Sequence, residues 1–394
     1  MFIDCDANAT YALDARGEAL LHEAVQVLGN PSSLHRLGQR ARNAIEVARD
    51  DLRRLVGIPS ALSARYRVVF TSGATEANNL LVSSLARSSE EVVSTAIEHP
   101  CMLKPLERLS GAVQGGTLEH RTVPPPTVRL ATSRPSGVVD AEALAPLLAQ
   151  STGLVSLMAA NNETGVLNPL NEIVSQVRQL APKAVVHSDV AQVLGKVPFS
   201  MTDSQLDAIT VSGHKFGAIA GVGALVIRED VALEPLILGG PQEDKVRGGT
   251  ENVLGIVHMG LVARHVASEV AQRARAMRQV RDEFEAALQR LLPGCVFNGA
   301  EAGVERLPNT SSVWLPGTRA DDLVVALDLK GILVSAGSAC SSGKPEPSHV
   351  LGAMGQPPER VKATVRVSFR ADSAEGAGGR VAEALAEAAR RSGF

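Results

Sequence analysis

The chain predicts an α/β protein built on a mostly parallel sheet, followed by a smaller domain of mixed strands and helices. Three observations carry this. Short apolar runs alternate with helix-periodic stretches from about residue 67 to 227, the pattern of parallel strands joined by crossover helices. One long proline-free helical pattern, Gly260 to Leu292, then stops at Pro293-Gly294. Beyond it strand and helix patterns resume, and 394 residues are enough for two cores.

Taken in order, Gly38 to Leu55 is a helix, because Ala41, Ile45, Ala48, Leu52 and Leu55 recur at three and four residues. The runs Arg67–Thr71, Glu91–Thr95, Gly153–Met158, Ala184–Ser188, Ala208–Ser212 and Gly223–Ile227 are expected strands. The proline-rich Val123–Thr127 reads as a surface turn. After the long connector helix come a strand near Ser311–Leu315, a helix over Ala320–Leu329, a strand over Thr364–Phe369 and a last helix from Gly379. No internal repeat is visible.

Composition narrows the function classes. Charged residues make up 21% and hydrophobic ones 45%, with a net charge of -3, so no basic field points to nucleic acid. Aromatics at 3% leave little for base stacking. The arginine-rich Gln272–Arg290 also carries acids at helical spacing and reads as a solvated helix face. The start Met1-Phe2-Ile3-Asp4 lacks the pattern of a secretory signal, and no run reads as a membrane span. Cys5, Cys101, Cys295 and Cys340 stand far apart without a CxxC pair, which argues against a zinc site and a disulfide framework. A cytoplasmic protein is expected.

The chemistry concentrates at the ends of the expected strands. Lys215 follows an apolar run in Ser212-Gly213-His214-Lys215, and Asp189 ends another in His187-Ser188-Asp189. A lysine and a carboxylate on neighbouring strand ends suit pyridoxal 5'-phosphate: the amine forms a Schiff base, and the carboxylate keeps the ring nitrogen protonated. Asp189 equally suits a local cap for the segment after it. Thr71-Ser72-Gly73-Ala74-Thr75-Glu76 opens a helix whose first amides, at Ala74 and Thr75, can take a phosphate or simply be capped. His99 follows a strand and could stack on a ring and move protons; a plain loop histidine is the simpler alternative. Gln192, Ser212 and His214 lie beside these positions. Arg366, a charge within a strand pattern, faces solvent or holds a carboxylate through both ends of its fork. Cys340 sits in Ser338-Ala339-Cys340-Ser341-Ser342-Gly343-Lys344-Pro345, whose small residues suggest a mobile loop with an exposed thiol.

In this order these segments resemble the cysteine desulfurases of the NifS/IscS type, within the class-V aminotransferase superfamily. The resemblance runs nearly the length of the chain. It includes Asp6-Ala7-Asn8-Ala9-Thr10, Gly29-Asn30-Pro31-Ser32-Ser33, Asn161-Asn162-Glu163-Thr164-Gly165 and Arg247-Gly248-Gly249-Thr250. The spacing from Cys340 to Glu346-Pro347-Ser348 is similar to the long-loop branch of the family.

The resemblance implies a fold-type-I, pyridoxal-phosphate-dependent homodimer with a seven-stranded type of sheet. Residues 13–260 would form the large domain, and 1–12 with 261–394 the small one. Lys215 would carry the cofactor, Asp189 face the ring nitrogen and His99 stack on the ring. Gln192 and Asn162 would sit near the ring oxygen and substrate. Ala74, Thr75, Ser212 and His214 would bind the phosphate, joined by Thr250 of the other subunit. Arg366 would hold the substrate carboxylate. Cys340 would take sulfur from L-cysteine as a persulfide, leave alanine, and pass the sulfur to an acceptor such as an iron–sulfur scaffold. Two other readings remain: a selenocysteine lyase or another class-V lyase or aminotransferase, and a degenerate scaffold subunit of a sulfur-transfer complex. Three departures stand out. Gly239-Gly240-Pro241-Gln242-Glu243-Asp244-Lys245-Val246 replaces the usual Gly-Gly-Gln-Glu-Arg-Gly, Ala218-Ile219-Ala220 replaces a Pro-Lys turn, and Ala7 stands where a polar residue is common.

Overall fold

The computed structural model describes residues 2–27, 29–85, 89–111, 125–337 and 347–394. A two-residue strand, β1 (Ile3–Asp4), opens the chain. The strands β2 (Tyr66–Thr71), β3 (Glu91–Thr95), β4 (Thr127–Ala131), β5 (Thr152–Ser156), β6 (Val185–Asp189), β7 (Ala208–Ser212) and β8 (Gly223–Arg228) form one seven-stranded sheet. Its order is β2-β8-β7-β6-β5-β3-β4. Only β8 runs against its neighbours; the other pairs are parallel. The sheet is mostly parallel, as the alternating pattern predicts. Central β7 is buried at every residue, as expected of a strand covered by helices on both faces.

β4 is the strand that periodicity overlooks. It begins at Thr127, inside the proline-rich stretch read as a turn, and lies on the sheet edge with only Ala131 buried. An exposed edge strand carries little apolar signal. Residues 123–124 of that stretch lie outside the described residues.

The connector helix runs over Val253–Leu291, starting seven residues before the expected Gly260. Its first turns are apolar on all sides, so no polar face marks them as helix. An 18-residue window there has a mean hydropathy of 1.3, enough by composition to cross a membrane. Yet Ile256, Met259, Val262, Ala263 and Val266 belong to the main hydrophobic core, and this is a core helix. Gly260 lets it approach the helix Arg36–Leu55: a Cβ there would fall 2.5 Å from the Ala48 Cα.

Past this helix, β9 (Val296–Phe297), β10 (Thr310–Trp314), β11 (Ile332–Leu333) and β12 (Thr364–Ser368) build the second unit. β12, β10 and β9 form an antiparallel sheet, and β1 pairs in parallel with β11. A second core, with Cys5, Phe284, Val313, Leu323, Val367 and Leu385, fills the space beneath it. The N-terminal residues thus pass from this unit straight to the carboxyl end of β7 in the large sheet, where Tyr11 N donates to His214 O.

Candidate active site

Six strands of the large sheet end on the same side, and five of them lead to candidate site residues. Open α/β sheets bind ligands beyond such carboxyl ends. β2 leads to Ala74, β3 to His99, β5 to Asn162, β6 ends on Asp189, and β7 leads to Lys215. Thr71 and Ser212 both pair with Gly223, so the helix start at Ala74 and the turn before Lys215 are neighbours. Gly223 is needed there, because a Cβ would come within 2.7 Å of the Gly73 Cα.

Lys215 Nζ donates to the backbone oxygens of Asn8 and Ala9 at 2.7 and 2.8 Å. Burial, helped by Arg366, pushes its amine down to about 8, against the opposing pull of Asp189, Asp6 and Cys101. The amine therefore loses its proton far more readily than an ordinary lysine, as a Schiff-base nucleophile must.

Asp189 is buried. Its Oδ1 accepts from Ala191 N at 3.0 Å, the local cap, and its Oδ2 accepts from Asn78 Nδ2 at 3.2 Å. Behind Asn78 lies a chain of bonds with one direction. Asn78 Oδ1 accepts from Thr210 Oγ1 at 2.7 Å, so Thr210 must accept from His187 Nε2 at 3.0 Å. His187 Nδ1 then accepts from Ser156 Oγ at 2.9 Å. Every link donates toward the Asp189 carboxylate, and the ordering requires a neutral imidazole. Burial pushes His187 down to about 3, which keeps it so.

His99 caps the helix Pro100–Leu109, its Nδ1 accepting from Cys101 N at 3.1 Å, so it is a helix cap rather than a plain loop histidine. That bond leaves the proton of the neutral ring on Nε2. His99 is exposed as a residue, yet neighbouring protein still crowds its ring. This crowding, with Lys215 and His349, lowers its proton affinity, while Asp189 opposes them. His214 Nδ1 lies 3.1 Å from Thr10 Oγ1, and burial beside Lys215 and Lys196 pushes it down to about 4.

Ser72 N donates to Glu76 Oε2 at 2.8 Å, and Glu76 pairs with Arg247 at 2.9 Å. The first-turn amides of Ala74 and Thr75 have no intrahelical acceptor, and a side chain at Gly73 would meet nothing within 4 Å. Open space at a helix start beside Ser212 and His214, a lysine of lowered proton affinity and a buried carboxylate fit pyridoxal phosphate. Arg366 is buried at the other end. Its Nη2 binds Asp6 Oδ1 at 2.7 Å, its Nη1 donates to Asn162 O at 3.2 Å, and its Nε has no partner among the described residues. It does not face solvent, and part of its fork is taken by Asp6.

Two expected positions are not joined to this group. Thr250 is exposed and makes no hydrogen bond to it among the described residues. Cys340 lies outside the described residues. Several neighbours went unread in the sequence. Asn8 Nδ2 donates to Asn162 O and Thr310 Oγ1, linking the two units at the site. Asn78 and His187 form the floor under Asp189. Asn78 falls four residues after Ala74 on an amphipathic helix, which is the signal that could have found it.

The family Aminotransferase class-V matches residues 6–376, and the chain belongs to it. Within that class it belongs with the cysteine desulfurases. It is 35% identical over 390 residues to the cysteine desulfurase of Trichormus azollae, covering 98% of this chain and 92% of the relative. A solved NifS-like protein from Rickettsia africae superposes with a TM-score of 0.85 at 32% identity, over 99% of both chains. A structure described as SspA in complex with cysteine gives 0.77 at 26% identity, over 95% of this chain and 100% of that one.

Proposed function

We propose that this protein converts L-cysteine to L-alanine and takes the sulfur onto Cys340 as a persulfide for delivery to an acceptor protein. The reading rests on the convergence of Lys215, Asp189 and His99 at one set of strand ends, with Arg366 of the second sheet near Lys215, in a chain whose relatives are cysteine desulfurases. In this reading residues 13–260 bind the cofactor, while 1–12 and 261–394 bring Arg366 and Cys340 to it. The working form is a homodimer in the cytoplasm, with Thr250 supplied by the neighbouring subunit.

Bound pyridoxal phosphate supplies the ring that draws electrons away from the substrate carbons. Asp189 holds its charge toward the ring nitrogen, stiffened by the bonds from Asn78. Ala74, Thr75, Ser212 and His214 hold the phosphate, and Gln192 and Asn162 lie toward the ring oxygen. Arg366 orients the substrate carboxylate. Lys215, with a proton affinity near neutrality, moves a proton at the substrate carbon, and His99 Nε2 is placed to carry another. Cys340 thiolate attacks the substrate sulfur. One carbon–sulfur bond breaks, one sulfur–sulfur bond forms, and the carbon gains a proton. The acceptor chemistry that suits such a persulfide includes an iron–sulfur scaffold.

The test is anaerobic incubation of the purified protein with L-cysteine, measuring alanine and the sulfide released by reductant. Equal amounts of both, lost in Cys340→Ser, are expected. Full alanine or pyruvate formation by Cys340→Ser would move the protein to another class-V lyase or aminotransferase. A wild-type protein that takes up no pyridoxal phosphate would leave only a scaffold role.

A further inference from the structure

Lys196 is a lysine in the wrong place for a charge. It is 1% exposed, among the largest fully buried side chains of the described residues, and no carboxylate there pairs with it. Its Nζ has two partners, both amide oxygens: Asn8 Oδ1 at 2.9 Å and Gln192 Oε1 at 2.5 Å. Two acceptors match the two N–H bonds of a neutral amine; an ammonium would carry a third with nothing to receive it. Lys215, Arg366 and Arg273 lie near enough to oppose a charge, and burial opposes it more.

Its partners lead to the cofactor lysine. Gln192 Nε2 donates to Asn8 O at 3.1 Å, the same oxygen that accepts from Lys215 Nζ at 2.7 Å. Asn8 is held from the other side by Asn309 Nδ2 at 3.0 Å. With Lys196 donating to its oxygen, the Gln192 amide has one arrangement. Turned over, it would take the oxygen away from the Lys196 N–H and bring it against the Asn8 carbonyl.

We propose that Lys196 is a positioning residue that acts through Gln192 and Asn8, fixing the Gln192 amide with its NH2 end toward Lys215 and the cofactor. The proposal rests on the reading of Lys215 as the cofactor lysine. Without Lys196 only the bond to the Asn8 carbonyl holds the amide. In the fraction that turns over, its oxygen is offered to Lys215 Nζ, which would hold its proton more tightly.

The experiment compares wild type, Lys196→Met, Gln192→Leu and the double variant, each with two readouts. In the cofactor-free protein, acylation of Lys215 is followed against pH, peptide by peptide, by mass spectrometry. In protein loaded with pyridoxal phosphate, the pH midpoint of the visible absorption band is titrated. Lys196→Met should raise both midpoints by about one pH unit, a tenfold change in proton affinity. In the Gln192→Leu background the same change should add nothing. Unmoved midpoints in Lys196→Met, or an equal shift with Gln192 already gone, would overturn the proposal. Should the single variant fail to fold, Lys196→Gln, which keeps an N–H donor for the Gln192 oxygen, should leave both midpoints unmoved while Gln192→Glu shifts them. A shift between the double variant and Gln192→Leu would still overturn the proposal. A wild type that binds no pyridoxal phosphate would sink the proposed function, while the labelling midpoints would still decide the role of Lys196.

Discussion

The floor beneath Asp189 and the segment Pro241–Val246 are both unusual stretches, and they spend their stability differently. Under Asp189 the backbone is ordinary strand, and the cost is polar burial: Ser156, His187, Thr210 and Asn78 are each within 1% of full burial. Each has a partner, and the partners share one direction, so the cost is repaid within the core. In the other segment three of the six residues are exposed, and the backbone bears the cost. Glu243, Asp244 and Lys245 hold φ of 43, 54 and 67°, three successive non-glycine residues in the left-handed region. One anchor keeps them there: Glu243 meets Arg49 at 3.0 and 3.2 Å and accepts from Phe70 N at 2.9 Å on the free edge of β2. Satisfied burial makes a rigid floor for chemistry, whereas a strained turn on a single ion pair makes a cover for a sheet edge.

The largest expected effect lies at the end of the floor. Asp189→Asn keeps the acceptor for Ala191 N but removes the charge the hydrogen-bonded chain points to. Alanine formation should fall by about a hundredfold or more, the scale of losing one preorganised electrostatic contact. The melting temperature should fall as well, because the new amide NH2 faces the buried NH2 of Asn78, which donated to the lost carboxylate oxygen. A variant that retained a third of its activity would mean that the floor is structural only.

Acid should also find the floor first. The folded-state value of His187, about 3, lies below the usual 6.5, so the unfolded chain binds more protons as pH falls. Its stabilising contribution is whole above 6.5 and is lost as pH drops toward 3. By pH 4.5 the loss should be about 2 to 3 kcal/mol. Glu98 acts in the opposite sense: burial pushes it up to about 8, so its contribution is whole below about 4.5 and lost as pH rises through 8. Denaturant unfolding of wild type and His187→Gln at pH 7 and 4.5 isolates the His187 part. The variant should lose less on acidification by that amount, and parallel losses would contradict the assignment.

The contrast also explains what could be read from residues alone. β3 and β7 are visible residue for residue because buried parallel strands are continuous apolar runs bounded by turns. Asp189 and Lys215 stand out because a charge at the end of such a run has no packing reason to be there. Asn78 and His187 do not stand out, since a polar residue inside an element looks the same whether it faces solvent or a hydrogen-bonded floor. Lys196 is hidden more deeply: lysine is the residue least expected in a core, so its burial cannot be read from its type. The left-handed turn is invisible for another reason. Glu-Asp-Lys is an ordinary surface sequence, and only Glu243 reaching Arg49 across 194 positions forces its backbone.

A smaller effect is expected one step back along the floor. Thr210→Val keeps the shape of the side chain but deletes both the donor to Asn78 Oδ1 and the acceptor for His187 Nε2. Two buried groups are left without partners, which should cost about 1 to 3 kcal/mol in urea unfolding at pH 7. Alanine formation should fall too, because Asn78 is no longer held against Asp189. Loss of stability with unchanged activity would separate the floor from the site.

The smallest effect should have the opposite sign. Lys245 stands where the Gln-Glu-Arg-Gly pattern of the family places glycine, and its φ of 67° costs a side-chain-bearing residue about 1 to 2 kcal/mol. Lys245→Gly removes that cost but adds freedom to the unfolded chain, worth roughly 0.5 to 1 kcal/mol against it. A net stabilisation of about 0.5 to 1 kcal/mol is expected, and because it arises from backbone geometry it should be the same at pH 7 and 4.5. Thermal unfolding at both values checks this. A gain that differed between the two values would mean that charges around the segment, rather than the left-handed backbone, set its energy. Destabilisation would mean that Lys245 contributes a contact stronger than the strain it bears.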